Sequence, residues 1–555
     1  MSMSMLKKQI ENLHLKNLKV GSTEEINNWF RKSYNGDYEV KNLDKAAAVI
    51  SSHSKKLPIL IIGDYDVDGI MSSAILFQVL KCLAFEKVMV RLPHRFSEGF
   101  GFKKTMLDEI KEPEKTLVIT VDNGIAALDA VDYAKSIGCT VIVTDHHEPV
   151  KENGEIKLPA ADVIVDPHVY GDDFNDYCGA GLAYKLAEVL ISDRAKSLLS
   201  LAAIATIADV MPLREENFVI VRNGLKYLSA GYTTLGLKAL MKFLNLEGEI
   251  SSSDIGFKIG PCLNAPGRLI DDGAVLSLKM VLAPDKDLAE NLAKKLIELN
   301  EERKSLVDDA LSRVSEFEGK FPVIVNIPDV CEGIVGIIAG KLEEAYGGPA
   351  LVFTNAGTEE LKGSGRSPES LNLKQLLDLH PDLFVKYGGH AGAAGFTIKT
   401  GNFNALKKAL QNDLKDFKPV ITQLEADVEI SEDELEEALE IEKMFQPSGE
   451  GNPPALFKIK DVNILPNYGK YKHLMGKDGI KLYAEKFTCI GFGIRDDVPV
   501  EQPTKVELLA TLSENRFNGK VTPQAEAKNI KVLESIDLHI ETNNFIDAFA
   551  RNGLF

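Results

Sequence analysis

Asp64, Asp66 and Asp68 stand at alternate positions in GDYDVDGI, directly after the apolar run Ile59, Leu60, Ile61 and Ile62. Three carboxylates this close repel one another unless cations or protons intervene. Other apolar runs end in similar groups: Asp122 in VDNG, and Asp145, His146 and His147 in TDHHEP. Asp209 closes a helical stretch in ADVMPL. Carboxylates and imidazoles suit Mn2+ or Mg2+, and two such ions about 3.5 to 4 Å apart clamp the attacking and leaving oxygens of phosphoryl transfer. Asp66 and Asp68 share one side of an extended segment, so each can serve a different ion, with Asp122 as a bridge. Each element alone has an ordinary reading, as a turn, a helix cap or a structural histidine pair. Their recurrence after alternate parallel strands points to a site for two divalent cations.

The elements that must position these groups are five short apolar runs, at 57–62, 87–92, 116–121, 140–143 and 162–165. The spacers MSSAILFQVLKCL, KKTMLDEIKE and AALDAVDYAKSIG read as helices, which predicts a parallel, doubly wound sheet with its ligand crevice at the strands' carboxyl ends. Gly69 is expected to let the chain turn from the ligand loop into a helix starting near Met71. After Pro284 and Asp285, the residues Leu288, Leu292, Leu296, Leu299, Leu306 and Ala310 predict one long amphipathic connecting helix. A second α/β unit follows from about 320, with the glycine-rich stretches KGSGRS and YGGHAGAAGF. Residues 455–535 alternate apolar and polar positions between turns, as a small β-barrel does. The fold class is thus α/β multidomain. Its expected parts are 1–50, a parallel-sheet domain at 51–275, a connecting helix at 276–318, an α/β domain at 319–420, a barrel with its acidic lead-in at 421–535, and a tail at 536–555.

Composition excludes some classes. The chain has 555 residues, 45% of them hydrophobic and 26% charged, which fits three or four soluble domains. No run of about 18 apolar residues occurs and the N-terminus lacks a signal-peptide core, so a cytoplasmic location is expected. The six cysteines are scattered without a C-x-x-C pair, which argues against zinc or a disulfide framework and for core positions. A net charge of -18 disfavours a protein that coats duplex DNA but leaves room for a local groove. Residues 425–442 hold ten acids and no Lys or Arg, the pattern of a solvated helix face. By contrast, residues 456–486 hold seven Lys against three acids, a basic track that includes Lys470 and Lys472, with Tyr468 and Tyr471 as stacking platforms. Trp29, the sole tryptophan, reads as a packing anchor.

DYDVDG, VDNG, DHH and the Asp of ADVMPL resemble the four signature motifs of the DHH phosphoesterase superfamily, and GSGRS with GGHAGAAGF resembles its DHHA1 partner domain. RLPHRFSEGFGF, LNAPGRL, LNEERKSLV, QPSGEGNPPALF, KHL and ENRFNG narrow the resemblance to the RecJ family of single-strand-specific 5′ to 3′ exonucleases, from about residue 57 to 535. Ser448 stands where that family's pattern has an aromatic residue, and the first 50 residues show little match. The resemblance implies metal ligands at Asp66, Asp68, Asp122, His146 and Asp209, with Asp64 close to the ions. It places His147 at the scissile phosphate or a metal and makes Asp145 an orienting partner for histidine. Arg268, Ser364, Arg366 and the turn Gly388, Gly389, His390 are assigned to phosphate holding, since glycines admit backbone amides and Arg grips two oxygens at once.

The implied reaction is in-line hydrolysis by a water that the cations activate, releasing 5′ mononucleotides from single-stranded DNA in repair and recombination. An oligonucleotide-binding (OB) fold is implied for the barrel. The implied partners are single-stranded DNA, a single-strand-binding protein and a helicase, with no membrane and a monomeric enzyme. Two other readings share the motifs: a phosphodiesterase for short oligonucleotides or cyclic dinucleotides, and a catalytically inactive Cdc45-like replication scaffold. The first needs neither the long connector nor the barrel, and the second usually loses ligands that are all present here. A family II pyrophosphatase is disfavoured because Ile62 occupies the place of its first-motif histidine.

Overall fold

The computed structural model describes residues 3–152, 154–314, 317–355, 357, 359–420, 424–465, 474–475, 479–494, 504–517 and 520–535. The chain divides into two compact units: Tyr38–Met211 with Asn223–Gln423, and Met1–Asp37 with Pro212–Arg222 and Leu424–Phe555.

In the larger unit the strands are β1 (Ile59–Ile62), β2 (Val88–Arg91), β3 (Leu117–Val121), β4 (Thr140–Thr144), a hairpin of β5 (Val150–Glu152) and β6 (Glu155–Lys157), and β7 (Val163–Val165). Five of them form a parallel sheet in the order β2-β1-β3-β4-β7. β1 and β3 are buried along their whole length, which is why they read as continuous apolar runs rather than alternating ones. Ile62 lies beside Thr120, and Val121 beside Thr144, so β1, β3 and β4 end nearly level. The residues that follow them emerge at one edge.

KKTMLDEIKE does not form the expected helix. Only a 3-10 turn, Lys104–Leu107, occurs there, and it buries the adjacent Met106 and Leu107. The ten residues lie between left-handed Gly101 and Pro113, which interrupt helical backbone at both ends of the stretch.

The long helix is present as Lys286–Ser312, with Asp285 capping it by accepting from the Leu288 amide at 2.9 Å. Its buried face is Ala289, Ala293, Leu296, Leu299, Val307 and Ala310, while Leu288 and Leu306 are exposed. The inward stripe is therefore rotated toward the alanines, whose small side chains let neighbouring helices approach closely. Beyond it lies a second sheet of β8 (Val323–Asn326), β9 (Ala350–Asn355), β10 (Glu360–Arg366), β11 (Lys386–Gly389) and β12 (Ala393–Lys399), in the order β11-β12-β10-β9-β8.

The smaller unit is built on β13 (Val428–Ser431), β14 (Phe457–Ile464), β15 (Leu474–Met475), β16 (Gly479–Tyr483), β17 (Thr488–Phe492), β18 (Thr504–Phe517) and β19 (Lys520–Ser535), in one seven-stranded sheet. The acidic segment is more than a solvated helix face. It contributes strand β13, then the helix Leu435–Met444 with Leu435, Ala438, Leu439 and Ile441 buried.

The N-terminal helices Met3–Asn17 and Thr23–Asn35 share this unit's core: Leu6, Ile10, Ile26 and Trp29 cluster with Phe218, Leu439, Phe445 and Phe457. Trp29 stands edge-on to Phe218 at 5.6 Å. Buried His14 lies with Nε2 2.7 Å from Glu442 and Nδ1 2.9 Å from Asn452 Oδ1, and the Asn452 amide donates to the Phe445 and Pro447 carbonyls. That network ties the first helix to the QPSGEGN loop.

All six cysteines are free, and Cys82 is exposed rather than in the core. Among the described residues, no helix is long and apolar enough to cross a membrane.

Candidate active site

Of the three acids in the GDYDVDGI stretch, Asp64 and Asp66 lie outside a helix and Asp68 inside one. Asp66 caps the helix Val67–Cys82 by accepting from the Gly69 amide at 3.1 Å, and buried Asp68 sits in the first helical turn. The extended geometry expected for Asp66 and Asp68 is thus replaced by a cap and a first turn, because an Asp followed by an apolar run is itself a helix start. Gly69 falls inside that turn rather than before it. Its role is close approach: a Cβ there would stand 2.4 Å from the Asp64 backbone.

A second helix start completes the cradle. The Asp68 carboxylate accepts from the Gly179 amide at 2.6 Å and the Ala180 amide at 2.7 Å, at the N-terminus of the helix Gly179–Ile191. A Cβ on Gly179 would meet Asp122 Cβ at 2.5 Å, so only glycine permits this approach. Sequence reasoning missed Gly179; the CGAG at the head of an apolar helix was its signal. Asp122 is nearly buried and has a φ of 61°, a conformation that costs a non-glycine residue energy and tends to persist at functional sites.

His146 is the centre. Its Nε2 lies 3.1 Å from Asp122, 3.6 Å from Asp68 and 3.8 Å from Asp209. Two donor groups result, Asp68 with His146 and Asp209, and Asp122 with His146 and His147. Asp64 and Asp66 fall outside both groups but remain within electrostatic reach, raising Asp122 through their charges. His147 Nδ1 lies 2.7 Å from Asp145 Oδ1, which leaves Nε2 as its available nitrogen. Asp145 also accepts from the amides of Ile125, His146 and His147, so it holds the whole DHH turn.

Electrostatics set these groups apart. Burial and the Asp66 charge push Asp64 up to about 7. Burial together with Asp68 and Asp66 pushes Asp209 up to about 8. Asp122 rises well above the carboxylate range through burial and the charges of Asp68, Asp66, Asp64 and Asp145. For Asp145 burial acts the opposite way from its partners, but the His147 bond and both histidine charges win and hold it low. His147 is raised to about 9, since the Asp145 bond and charge outweigh burial. Among the described residues no Lys or Arg pairs with Asp64, Asp66, Asp68, Asp122 or Asp209. Buried carboxylates and imidazoles without an organic counter-ion are the donor set that hard divalent cations fit.

Positive charge is gathered nearby. Arg268 is pulled down to about 10 by burial and by Arg95, Arg303 and Arg366. Arg95 lies over the ring of Tyr65, between Asp64 and Asp66, at 4.5 Å. Arg366 donates to Ser364 Oγ at 3.2 Å and the Gly365 carbonyl at 2.9 Å, and Arg268 to the Gly333 carbonyl at 3.3 Å. A Cβ on Gly336 would stand 3.1 Å from Ser364 Oγ and 3.2 Å from Arg366 Nη2.

In register, Ser364 neighbours Gly395, which neighbours Gly388. Both glycines face open space, making a ledge beside Ser364 free of side chains. Gly389 ends β11 and His390 begins the exposed turn that follows, where His390 Nδ1 accepts from Gly392; the Ser367 amide donates to the Gly392 carbonyl at 3.0 Å and seats that turn against the end of β10. Arg95 and Arg303 received no role from sequence, although both stand within the quoted motifs RLPHRFSEGFGF and LNEERKSLV.

The basic track is less free than its composition implies. Lys458 pairs with Glu507 and Glu429, Lys460 with Glu429, and Lys486 with Asp433. Lys470, Tyr471, Lys472 and Tyr468 lie outside the described residues.

Three family models match: DHH family, N-terminal domain, over residues 58–209; DHHA1 domain, over 320–416; and RecJ OB domain, over 426–529. The single-stranded-DNA-specific exonuclease RecJ of Bacillus subtilis is 33% identical over 521 residues, covering 90% of this chain and 64% of that protein. The chain thus spans a little under two thirds of that relative. The RecJ of Haemophilus influenzae is 30% identical over 559 residues, covering 93% of this chain and 95% of that one. The crystal structure of RecJ in complex with Mn2+ from Thermus thermophilus superposes with a TM-score of 0.73 at 26% identity, over 90% of this chain and 72% of that chain.

Proposed function

The chain belongs to the RecJ family, and from that premise we propose that it is a 5′ to 3′ exonuclease which degrades single-stranded DNA to 5′ mononucleotides with two divalent cations, Mn2+ or Mg2+. The observation that carries this reading is one juxtaposition: among the described residues, a carboxylate group around His146 without a Lys or Arg partner and an arginine group around Arg268 without a carboxylate partner both act on Tyr65. A phosphodiester is the ligand that needs both.

Asp68, Asp122, His146 and Asp209 would hold the cations, with Asp66 as a further ligand and Asp64 close by. When bound, the ions lower the pKa of water and offset charge that develops on phosphorus. His147, oriented by Asp145 through Nδ1, presents Nε2 to the scissile phosphate and donates a proton toward the departing 3′ oxygen. Arg268, Ser364 and Arg366, beside the Gly388–Gly389–His390 turn, hold the terminal phosphate, and Arg95 and Arg303 add charge to the same pocket. The OB domain, including Lys470, Tyr471 and Lys472, tracks the strand leading in. We place the enzyme in the cytoplasm as a monomer, acting in repair and recombination beside a single-strand-binding protein and a helicase.

The long connector and the OB domain favour this reading over a phosphodiesterase for short oligonucleotides. The retained acids and histidines favour it over an inactive scaffold. The test is a time course with Mn2+ on single strands labelled at the 5′ or the 3′ end. Mononucleotides should leave the 5′ end first, and Asp122→Ala should abolish their release. Release from the 3′ end alone, or an active variant, would sink the proposal.

A further inference from the structure

Most apolar side chains of the larger unit are buried, but two on touching segments at the rim of the carboxylate group are not. Val210 follows Asp209 directly, has a φ of 55° and is 65% exposed. Phe257 is 80% exposed on a single π-helical turn, Ile255–Ile259, of the kind that recurs at functional sites. The two segments are packed together: a Cβ on Gly256 would lie 4.0 Å from the Ile207 side chain, and one on Gly260 3.7 Å from that of Ala208. Ile207 and Ala208 immediately precede Asp209.

The π turn is braced at both ends. Buried Ile255 and Ile259 flank Phe257, a capping box between Ser251 and Asp254 starts the segment, and Lys258 pairs with Asp254 at 2.7 Å. A large ring on a rigid backbone, exposed to water beside a cation-binding carboxylate group, loses little entropy when a flat partner covers it.

We infer that Phe257, with Val210 on the adjoining segment, forms an apolar ledge on which a base of the bound single strand stacks. The inference rests on the function proposed above, since a polynucleotide places bases within a few ångströms of any phosphate held near Asp209. Base stacking on an aromatic ring tolerates any sequence and holds the strand through its bases, complementing the arginines that grip phosphate. Val210 widens the ledge without adding a polar group.

The test uses the full chain with Mn2+ and 5′-phosphorylated single strands carrying one abasic residue, walked through the first six positions. Wild-type protein should show a KM raised about ten-fold at the stacked position, the cost of one lost base-aromatic contact. Phe257→Ala should raise KM on the intact strand by a similar factor and lose the position-specific penalty, and Phe257→Trp should retain it. A Phe257→Ala profile that repeats the wild-type penalty at every position would overturn the inference while leaving the exonuclease reading intact. Wild-type protein that releases no mononucleotides would overturn both.

Discussion

In the larger unit, among the described residues, Asp68, Asp122 and Asp209 converge on His146 with no Lys or Arg partner, and Arg95, Arg303 and Arg366 crowd Arg268 with no carboxylate in an ion pair with them. In the smaller unit Lys458, Lys460, Lys486 and Lys505 each face an acid, and His14 faces Glu442. The same charged residue types serve different ends in the two places. Where charges are paired, the protein has satisfied itself. Where like charges are grouped and left unpaired, folding alone gives no return for the repulsion, and an external ion or phosphate is the missing partner.

Removing a ligand should separate the two arrangements most widely. Asp122→Ala is expected to lower kcat by roughly ten-thousand-fold, about 5 kcal/mol of lost transition-state stabilisation. Because it also removes a buried carboxyl crowded by Asp68, Asp66, Asp64 and Asp145, its thermal midpoint without cations should hold or rise. A variant that loses stability along with activity would mean that the aspartate is paired for folding, and the contrast between the units would collapse.

The next effect belongs to the smaller unit. Both ring nitrogens of His14 face acceptors, so the imidazolium form is the one the network satisfies. Burial opposes its charge, yet the Glu442 bond and charge outweigh burial and raise its pKa above 6.5. The stabilisation is therefore complete below the unfolded value and is lost as pH rises through the higher folded one. Trp29, in the same core, gives the readout: the urea midpoint seen by its fluorescence should fall as pH rises above about 6.5. His14→Ala leaves Glu442 buried and unpaired, should cost about 3 kcal/mol, and should flatten that pH dependence. An unchanged slope in the variant would remove His14 as its source.

Arg268→Ala comes third. Loss of one charge-assisted phosphate contact is worth roughly 2 kcal/mol, or about thirty-fold in kcat/KM on 5′-phosphorylated strands. On 5′-hydroxyl strands the loss should be smaller, so comparing the two substrates shows whether the arginine group holds a terminal phosphate.

Much of this site was legible because it follows strands. Apolar runs broken by Asp or His are local signals, and a parallel sheet brings their ends together wherever the intervening helices go. What stayed illegible depends on contacts distant in sequence. The CGAG around Gly179 announces a helix start but not that this start will grip Asp68, 111 positions earlier. Nothing in the first 37 residues announces a core shared with strands beyond Val428. Arg95 and Arg303 carry no spacing signal and come together only through the charge each exerts on Arg268. The placement of Asp68 failed for a local reason: alternate spacing was read as strand, and Asp66 was a helix cap.

The smallest effect concerns the lysines that composition alone made a basic track. Glu429 on β13 sits beside Lys458 in register and takes the ion pairs of both Lys458 and Lys460. A phosphate that bound either lysine would first have to displace this carboxylate, so neither lysine contributes a full counter-ion release. Glu429→Gln keeps the shape of the side chain and frees both ammonium groups. Single-strand affinity should then rise two- to three-fold at low salt, and the slope of log affinity against log salt should steepen by up to about 0.7, the increment of one phosphate contact on a single strand. An unchanged slope would mean that the strand never passes β14. The paired lysines would then serve the fold of that sheet alone, and the binding track would have to lie on other residues of the unit.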